Sequence, residues 1–124
     1  MKYKLLCLFV LLSFSLSDLY ADIELSSKQM RTSDGLPSNS VRCMFQDSKG
    51  FLWLGTLDGL TRYDGNTFLT YQLESGKHDQ VSLADNRIKH VAEDKNGFLW
   101  ISTISSFISC YDLRHGCFVD FTGN

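Results

Sequence analysis

The sequence predicts an all-β fold made of two four-stranded antiparallel blades of an incomplete β-propeller, placed after an N-terminal signal peptide. The main observation is a pattern that occurs twice, with Trp100 standing 47 positions after Trp53 (100 minus 53). The same shift separates Leu36 and Leu83, Asn39 and Asn86, Asp47 and Asp94, Gly50 and Gly97, and Thr56 and Thr103. A constant period of roughly 40 to 50 residues is typical of propeller blades, which bury their faces against one another. A β-sandwich, the competing all-β fold, does not need such a period.

Residues 1–21 have the layout of a cleavable secretory signal peptide. Lys2 and Lys4 precede an apolar run from Leu5 to Leu16, and Ala21 offers a small residue for cleavage. The alternative is a retained membrane anchor, but the run is shorter than the roughly 20 residues that a membrane-spanning helix needs. We therefore expect a periplasmic protein, exported by this leader.

The remaining chain divides into a lead-in segment at residues 22–38, blade 1 at 39–72, a connector at 73–85 and blade 2 at 86–122. The formal net charge of the full chain is −2, and removing the leader with its two lysines leaves it no more basic. No basic face is therefore expected for nucleic acid or for a membrane surface. Propellers close with roughly four to eight blades, so two blades leave open faces that call for further blades as partners.

Each blade is expected to contain four short strands separated by turns. In blade 1 these are residues 40–45, 51–56, 60–63 and 67–71, and the first has apolar residues on both faces, as a strand covered on both sides would. Asp58-Gly59 is the strongest two-residue hairpin signal in the chain. Blade 2 has Ser105-Ser106 there, so its hairpin should be longer or bulged.

Nine repeated residues are predicted to form a structural blade motif. The aspartates and the glycines after them close turns, each tryptophan anchors a strand by packing, and Gly55 stands where a side chain would crowd a neighbouring backbone. Calcium binding by the Asp-x-x-Gly turns and sugar stacking by the tryptophans are the less favoured alternatives, because the turns supply too few oxygen ligands and the tryptophans lie in mid-strand. The motif residues are Asp47, Gly50, Trp53, Gly55, Thr56, Asp94, Gly97, Trp100 and Thr103.

No motif for catalysis, a cofactor or a metal is recognisable in the sequence, and the ligand-contacting residues cannot be named from it. The three histidines, at positions 78, 90 and 115, are scattered and are expected at the surface or in loops. Cys43, Cys110 and Cys117 would remain after cleavage of the leader. Cys110 and Cys117 flank a turn and could form a disulfide, but small apolar fillers are the favoured interpretation of all three.

The string from Asp47 to Gly65, DSKGFLWLGTLDGLTRYDG, closely resembles the two-component regulator propeller repeat. Together with DGLPSNSV at residues 34–41, it is similar to the start of the periplasmic sensor region of hybrid two-component histidine kinases of Bacteroides-type bacteria. That resemblance implies a sensor of oligosaccharides that signals through a membrane helix to a histidine kinase region. Blade 2 departs from the repeat where Ser102 replaces the glycine found at Gly55.

The function expected from this resemblance is an extracytoplasmic ligand-sensing propeller fragment that is not itself an enzyme. The chain shows no second apolar span, phosphoacceptor region or receiver domain, so the kinase would lie outside it. Its partners would be an oligosaccharide, further blades and a membrane histidine kinase region, and a homodimer is left open. The alternatives are a fragment of a propeller glycosidase or lyase, and an inactive truncated remnant.

Overall fold

The computed structural model describes residues 26–73 and 81–122. The predicted leader at residues 1–21 lies outside the described residues, as does most of the predicted connector at 73–85. Within the described ranges the chain forms a short 3-10 turn at Thr32–Asp34 and eight β-strands. The strands are β1 (Val41–Gln46), β2 (Leu52–Thr56), β3 (Gly59–Tyr63), β4 (Phe68–Tyr71), β5 (Ile88–Glu93), β6 (Phe98–Thr103), β7 (Ile108–Asp112) and β8 (Cys117–Val119).

The strands form two four-stranded antiparallel sheets in simple meander order, β1-β2-β3-β4 and β5-β6-β7-β8. This confirms the predicted all-β architecture of two blades. The sheets are closest where β5 contacts β1 and β2, and they diverge toward β4 and β8. The two sheets are therefore arranged like neighbouring blades of a propeller, with β1 and β5 nearest the central axis.

The two-residue loop of the blade 1 hairpin lies one position earlier in the sequence than the Asp58-Gly59 pair that predicted it. Thr56 pairs with Gly59, so the two loop residues are Leu57 and Asp58, and Gly59 opens β3 with a φ of 128°. The Thr56 hydroxyl accepts a hydrogen bond from the Asp58 backbone N–H (3.0 Å) and donates one to the Gly59 carbonyl (2.9 Å). A Cβ at Gly59 would come within 2.8 Å of the Tyr71 carbonyl oxygen, so the glycine is needed in the strand itself.

The corresponding hairpin in blade 2 is longer, as predicted. The Thr103 N–H donates to the Phe107 carbonyl (3.0 Å), which leaves a three-residue loop, Ile104 to Ser106. Ser106 adopts a positive φ of 66°, the left-handed conformation that closes such loops. The extra residue explains why Tyr111 follows Tyr63 by one position more than the repeat period.

The core lies between the two sheets. From blade 1 it takes Trp53 and Leu60, both fully buried. Blade 2 and the chain leading into it supply the facing apolar residues, which are Leu83, Ile88, Val91, Leu99, Ile101, Tyr111 and Leu113. A sheet buries one face against each neighbour, so this junction accounts for one face of each blade.

The other face of blade 1 is only partly covered. Leu36 of the lead-in is buried, and Lys28 donates a hydrogen bond to the Tyr63 hydroxyl (2.7 Å), so this segment covers β3. It does not cover β1, where Val41 is 42% exposed and Met44 is 66% exposed. The prediction that β1 is covered on both faces is therefore wrong for this chain, because nothing in the described residues packs on that side.

Gly55 lies at the closest approach of the two blades. A Cβ there would meet the Sγ of Cys43 and come within 2.6 Å of the Cγ2 of Ile88. The sequence predicted a crowded backbone, but the neighbours are side chains. The glycine lets β5 approach β2 at this point, and the equivalent Ser102 in blade 2 lies outside the junction.

The three cysteines of the described residues are free thiols. Cys110 pairs with Val119 in the sheet and Cys117 pairs with Asp112, so the two cysteines do not face each other. Burial raises the pKa of the Cys43 and Cys110 thiols, which suits small apolar fillers. Cys117 is exposed and does not fill a core position.

Among the residues that the structure describes, no helix has the length and the apolar character to cross a membrane.

The first prediction concerns the close approach at Gly55. The substitution Gly55→Ala should lower the free energy of unfolding by about 1–3 kcal/mol, because the added methyl group overpacks the contact with Cys43 and Ile88. Ser102→Ala at the equivalent position of blade 2 is the control and should change it by less than about 0.5 kcal/mol. Urea unfolding followed by circular dichroism measures both, and equal midpoints for the two variants would contradict the role given to Gly55.

Candidate functional site

Trp53 of the repeated motif and three further aromatic residues form an aromatic junction between the blades, defined here as Trp53, Tyr71, Tyr111 and Phe118. The Trp53 ring lies 5.9 Å from the Tyr71 ring in a stacked arrangement and 5.2 Å from the Tyr111 ring at a steep angle. The hydroxyls of Tyr71 and Tyr111 are hydrogen-bonded across the junction at 2.9 Å. Burial, and then the bond to Tyr71, raises the pKa of Tyr111 above its usual range, so this hydroxyl stays protonated.

A carboxylate holds each tryptophan of the motif. In blade 1 one oxygen of Asp47 accepts the indole N–H of Trp53 (2.7 Å), and the other accepts the backbone N–H groups of Lys49 (2.9 Å) and Phe51 (3.0 Å). The β1–β2 turn, with Gly50 at a φ of 88°, and the indole are therefore joined by one side chain. Sequence reasoning assigned the turn role to Asp47 and missed the bond to tryptophan.

Blade 2 repeats this arrangement. Asp94 accepts the indole N–H of Trp100 (2.9 Å) and the backbone N–H groups of Asn96 (2.8 Å) and Phe98 (3.1 Å). The bond from Trp100, followed by that from Phe98, lowers the pKa of Asp94. The identical six-residue spacing from aspartate to tryptophan in both repeats is the signal that could have revealed this contact.

The two tryptophans differ in burial, although each donates its indole N–H to an aspartate. Trp53 is fully buried in the aromatic junction, whereas Trp100 is half-buried and packs edge-on against Phe121 at 5.1 Å. The side of blade 2 that carries Trp100 is called its outer face here. An open cavity of about 370 Å³ lies on it. Its lining residues are Phe98, Trp100, Cys110, Asp112, Val119, Asp120 and Phe121.

The outer face is not a copy of the corresponding face of blade 1, despite the shared tryptophan. At equivalent register positions, Ala92 stands where blade 1 has Phe45, and Cys110 stands where it has Arg62. Ser102 and Ile108 replace Gly55 and Leu60. The face of blade 1 that packs in the junction and the outer face of blade 2 therefore differ in shape.

A polar network joins the chain that enters blade 2 to the β6–β7 hairpin. Arg87 forms an ion pair with Asp85 (3.1 Å) and donates to the Ser105 hydroxyl (2.6 Å), and that hydroxyl donates to Asp85. The bond from Ser105, and then those from Arg87, lower the pKa of Asp85 to about 2. These three side chains therefore serve as hydrogen-bond partners for one another, and they hold the three-residue loop in place.

A second network closes the β7–β8 turn. Asp112 contacts the Nδ1 of His115 at 2.6 Å and accepts the backbone N–H of Arg114 at 2.8 Å. The bond to His115 is the main cause that lowers the pKa of Asp112 to about 2. His115 is exposed there, His90 is exposed on β5, and His78 lies outside the described residues.

Within residues 26–73 and 81–122, no group of three or more His, Cys, Asp or Glu side chains is placed to hold a metal ion. The carboxylates of the motif are already engaged, since Asp47 and Asp94 each bind an indole and two backbone N–H groups. Buried side-chain polar atoms without a partner are also absent from this part of the chain. The two repeated aspartates and the two tryptophans are therefore bonded to groups within their own blades.

Comparison with protein families also finds a unit that occurs twice in the chain. The model described as two component regulator propeller matches residues 35–58 and 82–105. The two matched segments contain both aspartate–tryptophan pairs, and each segment ends within the hairpin that follows its pair.

Among curated proteins, the chain is 43% identical over 51 residues to a protein named Histidine kinase P4 from Formosa agariphila, which covers 41% of this chain and 4% of that protein. Among solved structures it is similar to the extracellular domain of the hybrid two component system BT3049 from B. thetaiotaomicron, with 28% identity and a TM-score of 0.70. A second match is the extracellular domain of the one component system BT4673 from the same organism, with 31% identity and a TM-score of 0.58.

Each structural match covers 78% of this chain, but only 13% of the BT3049 chain and 14% of the BT4673 chain. The chain therefore spans a small part of the relatives that it matches.

The second prediction tests the carboxylate that holds Trp53. Asp47→Ala should lower the free energy of unfolding by about 3 kcal/mol, because it leaves a buried indole N–H and two backbone N–H groups without an acceptor. Asp94→Ala is the matched control, and its loss should be clearly smaller because water reaches the half-buried Trp100. Urea unfolding by circular dichroism compares them, and a larger loss for Asp94→Ala would contradict this assignment.

The third prediction concerns the stability of the protein at low pH. The pKa values of Asp85 and Asp112 are lowered from 3.8 to about 2, so their contribution to stability is present above about pH 4 and is lost as the pH falls through 2. The urea concentration at the midpoint of unfolding should fall as the pH is lowered from about 4 to 2, and it should stay constant between pH 5 and 7. Asp85→Asn should lower the midpoint at pH 6 more than at pH 2, and an equal effect at both pH values would contradict the prediction.

Proposed function

We propose that this chain, in which two segments match the two component regulator propeller model, is the ligand-sensing propeller portion of an extracytoplasmic sensor, with an oligosaccharide as its ligand. The observation that carries the proposal is the pair of matched blades, each organised by an aspartate–tryptophan bond. In this proposal the chain binds and the kinase activity belongs to regions outside it.

Three comparisons support a signalling role. Two solved structures with a similar fold are extracellular domains of a hybrid two component system and a one component system, and a curated relative is named as a histidine kinase. Identities of 28% to 43% over the matched residues are consistent with a shared role as well as a shared fold. The predicted leader at residues 1–21 adds an independent reason to propose a periplasmic location.

Binding rather than turnover is proposed because the carboxylates at repeated positions already have structural partners. A glycosidase needs two carboxyl groups that face the same bond, about 5 to 10 Å apart and free to act on it. Asp47 and Asp94 are held in the turns, and Asp85 and Asp112 are held in the two polar networks. The oligosaccharide itself comes from the resemblance to the sensor family.

Further blades are proposed as the structural partners of this chain. The outer face of blade 2 leaves Phe121 46% exposed and Trp100 half-buried, although Trp53 at the same position in blade 1 is fully buried. A sheet face with apolar residues gains stability when another sheet covers it. An adjoining blade in a longer protein would provide that cover.

The fourth prediction tests binding against catalysis. The purified full chain is titrated by calorimetry with a panel of oligosaccharides from plant and host glycans, and the same mixtures are analysed for products by anion-exchange chromatography. One class of oligosaccharide should bind saturably and be recovered intact. Protein-dependent release of shorter products would favour the propeller glycosidase or lyase, and a complete lack of binding across the panel would overturn the sensor proposal.

A further inference from the structure

The first strand of each blade carries a β-bulge at the same place, and a basic residue occupies it both times. In β1, Val41 pairs with Thr56 and Cys43 with Gly55, so Arg42 is the extra residue. In β5, Ile88 pairs with Thr103 and His90 with Ser102, so Lys89 is the extra residue. A bulge changes the direction of a side chain relative to the regular strand, and bulges are frequent beside functional sites.

Both basic side chains line one open cavity, of about 340 Å³, between the first strands of the two blades. Ile88, His90 and Ile104 complete the lining. The cavity therefore combines two cations and an imidazole with two apolar side chains. It lies beside β1 and β5, where the two blades are closest, and shares no lining residue with the cavity that contains Trp100.

The two cations have no acidic partner among the described residues. Arg87 and Arg114 are each paired with an aspartate two positions away, but Arg42 and Lys89 form no ion pair in this part of the chain. Both are exposed, and the chain as a whole is acidic, with a formal net charge of −2. The cavity is thus a local positive site on a negative protein, which favours an anion over a neutral molecule.

We propose that this cavity binds the acidic group of a negatively charged oligosaccharide, either a uronate carboxylate or a sulfate. The proposal rests on the proposed function and specifies its ligand class. Arg42 would bind the anion through the planar fork of its guanidinium and Lys89 as a point charge. Ile104, which is 42% exposed, would contact the apolar C–H surface of the sugar ring, as apolar walls do in ligand pockets with a few polar anchors.

The fifth prediction is tested on the full chain by calorimetric titration with three probes. These are tri-galacturonate for the carboxylate, a sulfated chondroitin disaccharide for the sulfate, and cellotriose as a neutral sugar. At least one of the acidic probes should bind, and cellotriose should bind at least about tenfold more weakly, because a charged contact contributes on the order of one decade in affinity. The acidic probe that binds more tightly identifies the anion.

The variants Arg42→Gln and Lys89→Gln should each weaken binding of the acidic probe about tenfold, and about a hundredfold together if the two contacts are independent. Arg42→Lys keeps the charge but loses the planar fork, so its affinity should lie between that of Arg42→Gln and that of the unchanged chain. Lys95→Gln is the matched control, because Lys95 is exposed in the β5–β6 turn and lines a different cavity, so affinity should not change. Circular dichroism of every variant checks that the sheets are intact.

Binding of the acidic probe should also weaken as the salt concentration rises from about 50 to 300 mM, since screening reduces the attraction between exposed charges. The proposal would be overturned by tighter binding of the neutral probe, or by unchanged affinity in the Arg42 and Lys89 variants. In either case an oligosaccharide sensor would remain. If no saccharide binds at all, the proposed function fails and this proposal fails with it.

Discussion

The hydrogen bond between Asp47 and the indole of Trp53 is the interaction on which the rest of the structure depends. An indole enters an apolar junction at low cost only if its N–H finds an acceptor, and here the turn before its own strand supplies one. Asp47 does so while it also closes that turn. Local turn geometry and contact between blades are therefore set by a single side chain, and the ring of Trp53 is fixed toward the adjacent sheet.

The fold could be predicted from the sequence because each repeated residue performs a task that its own chemistry reveals. Aspartate followed by glycine forms a turn, tryptophan in a short strand packs, and the constant period shows that the unit recurs. The lengthened hairpin of blade 2 was predictable for the same reason, since Ser105 and Ser106 lack the conformational freedom of Asp58 and Gly59. Strand positions agreed to within a residue or two, because turn residues limit where a strand can begin and end.

Other features could not be predicted, because they depend on which surfaces meet. The exposure of Met44 in β1 and the burial of Ile88 and Val91 in β5 could not be read from the sequence, since they follow from the presence of a neighbour on one side alone. Crowding at Gly55 was predicted, but not that it comes from the side chains of Cys43 and of Ile88 in the other blade. The cavity between the first strands was missed because Arg42 and Lys89 differ in identity, and only the pairing pattern shows that both occupy bulges.

The replacement of Phe45, Gly55 and Leu60 by Ala92, Ser102 and Ile108 on equivalent faces has a consequence for assembly order. Repeats with interchangeable faces can join out of sequence, either with a copy from another molecule or by skipping a unit during folding. Here a sheet shaped to fit the glycine side of the first unit would clash with the serine of the second and leave a void over its alanine. The two blades are therefore not interchangeable, and a sheet that packs well on one of these faces would pack poorly on the other.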